Sequence, residues 1–128
     1  MARAKYEQVI VTPQSNAAAG TVRGAIDVRN RDGGIVTMKI TNGATGPTVQ
    51  AEGRVMLSHT ELGTPVVGAA GAVWKTIWRF GGGVTANAVT EQSYEFGPGV
   101  KHIQIEFTGN TGQAVTVEAV ASTVDYSA

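Results

Sequence analysis

Alternation at every second residue constrains this chain more than any other feature. In TVRGAIDVR (21–29), Val22, Gly24, Ile26 and Val28 share one face, and Arg23, Asp27 and Arg29 lie on the other. GIVTMKIT (34–41) groups Val36, Met38 and Ile40 against Thr37, Lys39 and Thr41. TVQAEGRVML (48–57) sets Val49, Ala51, Gly53, Val55 and Leu57 against Gln50, Glu52, Arg54 and Met56. VKHIQIEFT (100–108) sets Ile103, Ile105 and Phe107 against His102, Gln104, Glu106 and Thr108. AVTVEAVAST (114–123) sets Val115, Val117, Ala119 and Ala121 against Thr116, Glu118 and Ser122. A period of two is the mark of a strand with one packed and one wet face. With EQVIV (7–11), AVWKTIWRF (72–80) and TEQSYEF (90–96), the count is about eight strands. No window of a dozen residues keeps a helical period.

The runs are separated by turn-forming residues. Asp32-Gly33-Gly34 suits a hairpin between the 21–29 and 34–41 runs, because glycine tolerates positive φ. Asn42-Gly43, Gly46-Pro47, Gly97-Pro98-Gly99 and TGNTGQ (108–113) punctuate the rest. Short strands joined in this way read as an all-β chain: an antiparallel β-sandwich, jelly-roll-like, or a barrel. Two stretches break the rhythm. PQSNAAAG (13–20) is small and polar, so residues 1–20 are expected to form an N-terminal strand and a flexible arm, with the sandwich domain over 21–128. SHTELGTPVVGAAGA (58–72) is a longer loop, of the kind that often carries function.

A chain of 128 residues with 42% apolar side chains has enough material for one packed core. Only 16% of residues are charged, so Thr, Ser, Asn, Gln, Ala and Gly must cover much of the surface. Ten basic and ten acidic residues cancel, which weakens repulsion between copies and favours association. Nine of the basic but five of the acidic residues fall in 1–84, leaving 85–128 acidic. Two readings follow: ion pairs across strands within one sandwich, or complementary contacts between subunits. A balanced charge also opposes non-specific nucleic-acid binding. No stretch approaches the roughly 18 apolar residues of a membrane helix. The start, MARAKYEQVIVTP, has neither an apolar run nor a cleavage signature, so no signal peptide is expected.

AVWKTIWRFGGGV (72–84) concentrates both tryptophans. Period two puts Trp74, Thr76, Trp78 and Phe80 on one face, with Val73, Lys75, Ile77 and Arg79 on the other. Three readings stand: a core strand with a glycine turn, an aromatic row at a protein interface, or a platform for a sugar or nucleobase. A phosphate loop is excluded, because Gly81-Gly82-Gly83 is followed by Val84-Thr85 and not by Lys-Ser/Thr and a helix. NRDGG lacks the carboxylates of a calcium loop. The absence of cysteine removes disulfides and cysteine-based zinc sites. His59 and His102 are expected at the surface or in loops. No hydrolase elbow or metalloprotease motif occurs, so the chain is expected to be no enzyme and to use no metal or cofactor.

GGIVTMKITNGATGPTVQAEGRVML, AVWKTIWRFGGGV and GPGVKHIQIEFTGNTGQAVTVEA together resemble the small β-sandwich virion proteins of tailed bacteriophages, in the capsid decoration, or cement, class. The likeness spans most of residues 33–120. It implies a jelly-roll-like domain on the capsid exterior, assembled in the host cytoplasm, often as a dimer or trimer that bridges capsomers. The implied partners are copies of itself and a major capsid protein, with no nucleic acid and no membrane. Arg3, Lys5, Trp74, Trp78 and Arg79 are the candidate interface residues. Two alternatives remain: a carbohydrate-binding module, which needs Trp74 and Trp78 exposed on a concave face, and a tail or baseplate component.

Overall fold

The computed structural model describes residues 4–69 and 73–125. The expected runs are all strands: β1 (Lys5–Asn16), β2 (Val22–Asp27), β3 (Arg31–Asn42), β4 (Glu52–Ser58), β5 (Lys75–Gly81), β6 (Val89–Phe96), β7 (His102–Thr108) and β8 (Val115–Asp125). They form two antiparallel sheets, β1-β8-β3-β6 (sheet 1) and β2-β7-β4-β5 (sheet 2). The pairing is nested. β1 pairs with β8, β2 with β7, β3 with β6 and β4 with β5. The β3–β8 and β4–β7 ladders complete the sheets. A long hairpin of β1–β4 against β5–β8, rolled up, gives this order, which is the jelly roll.

The roll corrects the hairpin expected at Asp32-Gly33-Gly34. β2 lies in sheet 2 and β3 in sheet 1, so the chain crosses between layers there. The turn comes earlier, where the Arg31 amide donates to the Val28 carbonyl at 3.0 Å. Asp32 and Gly33 fall within β3 at a register shift between Arg31 and Gly34, with Gly33 at φ 111°. Glycine is needed for a bulge rather than for a hairpin tip.

The alternating residues make the core. Val36, Met38 and Ile40 of β3, with Val115, Val117, Ala119 and Ala121 of β8, face Val55 of β4 and Ile103, Ile105 and Phe107 of β7. All are buried, and each of the larger side chains stabilises the fold by about 1.5–3 kcal/mol. The N-terminal stretch belongs to the same body. β1 runs along β8 as far as Asn16, whose Nδ2 donates to Asn110 Oδ1 at 2.7 Å while Asn110 Nδ2 returns a bond to the Asn16 carbonyl at 3.2 Å. Residues 13–16, read from sequence as part of an arm, are strand, and a turn closed by Gly20 N to the Ala17 carbonyl follows them. Polar side chains here cap the sandwich from inside, where buried amides must find partners.

Candidate interaction surfaces

The two outer faces of the sandwich are built differently. Sheet 2 was expected to present a wet face through β7, but β7 is buried on both sides. His102, Gln104 and Glu106 are buried, as are the apolar residues between them. Two things cover this face. The first is a line of five charges across all four strands: Arg23 (β2), Glu106 (β7), Arg54 and Glu52 (β4), and Arg79 (β5). Glu106 takes Arg23 Nε at 2.6 Å and Arg54 Nη1 at 3.2 Å; Glu52 takes Arg54 Nε at 2.7 Å and Arg79 Nη1 at 3.6 Å. Two guanidinium partners allow the Glu106 carboxylate to be buried without an uncompensated charge. The hydrogen bond to Glu52 raises Arg54 above its already high ordinary value, so this cation is permanent.

The second cover is the β4–β5 loop. Gly68 N donates to Gln104 Oε1 at 2.6 Å, and Gln104 Nε2 reaches Met56 Sδ at 3.1 Å. Trp74 Nε1 donates to the Val66 carbonyl at 2.8 Å. Arg29 Nη1 holds the Glu61 carbonyl at 2.6 Å, and Lys101 Nζ holds the Glu61 carboxylate at 2.9 Å. That ammonium lowers the Glu61 pKa, as the Arg29 side chain lowers that of Asp27 by hydrogen bonding. The loop is fixed at both ends and the middle. It nevertheless leaves Leu62 90% and Val66 72% exposed.

The single aromatic row expected along β5 does not form. The β4–β5 register shifts between Val55 and Met56: Val55 opposes Trp78, whereas Met56 opposes Thr76. Ile77 is the extra residue, and the bulge flips everything before it to the other face. Trp78 packs inward beside Phe80 and Tyr94, at centroid distances of 5.5 and 5.7 Å. Trp74 is buried away from that core cluster, beneath the loop. The exposed tryptophan pair that a sugar platform requires is therefore not formed.

Of the remaining candidates, Lys5 is exposed at the start of β1 and Arg79 is exposed on β5, and Arg3 lies outside the described residues. His59 is exposed as expected, but His102 is buried, in register between Asp27 and Ser58. These three do not form a catalytic relay. The Asp27 carboxylate bonds Arg29, Ser58 Oγ bonds Thr60 Oγ1 at 2.9 Å, and His102 Nε2 has no hydrogen-bond partner among the described residues.

Sheet 1 has an open outer face. Val9, Val120, Thr37 and Ser93 form one row across it, with the hydroxyls of Thr37 and Ser93 2.8 Å apart, and Ile35 lies in the next row. Val9, Ile35 and Val120 are exposed. Strands of up to 12 residues, four abreast, present roughly 600–700 Å². At one end of this face an apolar groove of about 330 Å³ is lined by Gly34, Ile35, Ser122 and Val124, with Lys5 and Glu95 also in its wall. The uneven charge of the sequence resolves mainly into pairs inside the sandwich, which include Lys39–Glu118 at 3.7 Å and Arg31–Asp125 at 3.6 Å as well as the sheet 2 line. Lys5, Glu91 and Glu95 have no ion pair among the described residues.

No family model matches the sequence, and comparison with curated proteins finds no match either. Solved structures do share the fold. The K3 cleaved adhesin domain of Lys-gingipain from Porphyromonas gingivalis superimposes with a TM-score of 0.62 at 11% identity, covering 87% of this chain and 72% of that one. A chain of infectious bursal disease virus, Gx strain, gives 0.56 at 8% identity, covering 96% of this chain and 32% of that one. A chain of the T13 particle of the same virus gives 0.51 at 9%, covering 96% and 31%. This chain thus spans about a third of the viral chains it resembles. At these identities the likeness is one of fold alone.

Proposed function

We propose that this protein is a virion structural component that decorates a bacteriophage capsid from outside and stabilises it through protein–protein contacts, performing no chemistry. The observation that carries the reading is the open outer face of sheet 1. Its central row, Val9, Val120, Thr37 and Ser93, carries no charge, and its area is close to the roughly 800 Å² per partner of a standard interface. Exposed Val9, Ile35 and Val120 among hydroxyls match the mixed apolar and polar make-up of such surfaces. The fold shared with virus-particle chains supports the same reading. Copies of the chain and a major capsid protein are the partners in it, and repetition by symmetry turns modest contacts into a high barrier against shell opening.

The test is co-sedimentation of purified protein with expanded, undecorated heads of the parent phage. Saturable binding, with heads that rupture at a higher temperature when coated, is the expected result. Protein that stays in the supernatant at every concentration would overturn the proposal. Gold labelling of whole particles separates the head from a tail or baseplate position.

A further inference from the structure

We infer that copies of this chain associate head to tail, the Leu62 knob of one copy seating in the Ile35–Val124 groove of the next. This inference deepens the self-association in the proposed function and does not depend on the capsid.

The knob is unusual in how firmly it is held. A side chain 90% exposed at a loop tip is ordinarily polar and loosely placed. Leu62 instead follows Glu61, whose carbonyl and carboxylate are held by Arg29 and Lys101. Further along, buried Pro65, the Trp74–Val66 bond and the Gly68–Gln104 bond fix the same loop. An apolar tip on a pre-organised support loses little entropy on docking, which is the condition for a contact small in area but favourable. Leu62, Val66 and Val67 are all exposed on this one loop, and apolar side chains gathered in this way mark interaction sites.

The groove supplies the complement. It lies on sheet 1, whereas Arg29 and Lys101 hold the knob at the ends of β2 and β7 in sheet 2. One copy does not fill its own groove, and repeating the contact head to tail is heterologous, extending into a ring or a filament according to the rotation per step. About 330 Å³ accommodates a leucine side chain. The charges match as well. The groove wall carries Lys5 and Glu95, neither ion-paired among the described residues, and Glu61 beside the knob keeps 77% of its side chain exposed, open to Lys5 of the next copy. A face-to-face dimer through sheet 1 is disfavoured, because Glu7 and Glu95 occupy the two ends of one row and a two-fold axis along the strands opposes them.

The experiment is sedimentation of the full chain, up to about 1 mM, in wild type, Leu62→Lys and Ile35→Lys forms, each checked for a β circular-dichroism spectrum. Wild type should form oligomers beyond the dimer, and each variant alone should associate at least tenfold more weakly. Mixed one to one, the two variants should form a heterodimer that grows no further, because one intact knob meets one intact groove. A monomeric wild type overturns the inference, as does undiminished association of Leu62→Lys, or a mixture that stays monomeric. If Ile35→Lys fails to fold, Lys5→Glu on the groove wall takes its place with the same expectations. Capsid binding is measured separately, so head-to-tail association can fail while decoration stands, or the reverse.

Discussion

Trp74 donates its indole N–H to the Val66 carbonyl, 2.8 Å away, and so ties the end of the β4–β5 loop to its middle. The indole is buried, and its ring fills the space between the loop and the outer face of sheet 2. Trp74→Phe keeps most of the apolar surface and removes the donor, leaving a carbonyl without its partner. The expected cost is about 1 kcal/mol. Trp74→Ala removes the ring as well and should cost about 3–5 kcal/mol. Urea unfolding measures both. Limited proteolysis should show cleavage within 59–69 accelerated in each.

Glu106 sits between Arg23 and Arg54 as the most buried carboxylate of the sheet 2 line. Glu106→Ala leaves two guanidinium groups facing each other across β7, and about 2 kcal/mol of stability should be lost. The arginines are 39% and 32% exposed, so solvent screens the remaining repulsion and keeps the loss below that of a fully buried pair. Glu91→Ala and Glu95→Ala, on the outer face of sheet 1, should each change stability by less than about 0.5 kcal/mol. Thermal melts of the three variants make the comparison, and equal losses would contradict it.

The loop tip should loosen in acid. Hydrogen bonding to Arg29 holds Asp27 below its ordinary value of 3.8, and Lys101 holds Glu61 below its ordinary 4.5. A carboxyl whose pKa is lowered by folding takes up its proton more readily in the unfolded chain. Its contribution is therefore complete above roughly pH 5 and is lost as the pH falls through the lowered values. Proteolysis at Glu61–Thr64, using an acid-tolerant protease, should speed up between pH 5 and pH 3 relative to other sites. Lys101→Met should remove part of that dependence.

How much of this was legible in sequence depends on where the second face of each strand lies. Period two reports the inward face, so β3, β4 and β8 could be read residue by residue, and their cores match. It cannot report that a distant loop covers the outward face, which is why His102, Gln104 and Glu106 read as wet. Polarity on a strand that is buried on both sides was the available clue, once partners such as Arg23 and Arg54 were placed opposite. The Ile77 bulge was invisible for a different reason: a single inserted residue leaves no compositional trace, yet it reverses the face of Trp74. Strand number survived these errors. Connectivity did not, because Gly-rich turns serve hairpins and layer crossings alike, as Asp32-Gly33-Gly34 demonstrates.

Gly24 was legible only as a small residue on the inward face of β2. The structure gives it a specific duty. It opposes Ile105 in the β2–β7 ladder, and a Cβ added there would overlap the carbonyl oxygen of Ile10 on β1. Ile10 falls at the register shift between Val9 and Val11, where β1 leans across toward sheet 2. The obstacle is backbone, so no rotamer change relieves it, and β1 or β2 must move. Gly24→Ala should therefore cost more than about 2 kcal/mol despite alanine's advantage in chain entropy. Gly97→Ala is the matched control, because nothing lies within 4 Å of its added carbon. That variant should stay within about 0.5 kcal/mol of wild type. At roughly 3–6 °C per kcal/mol for a domain of this size, the two are separable in one set of thermal melts. Equal melting temperatures for Gly24→Ala and Gly97→Ala would mean that the close approach of β1 to β2 does not exist in solution.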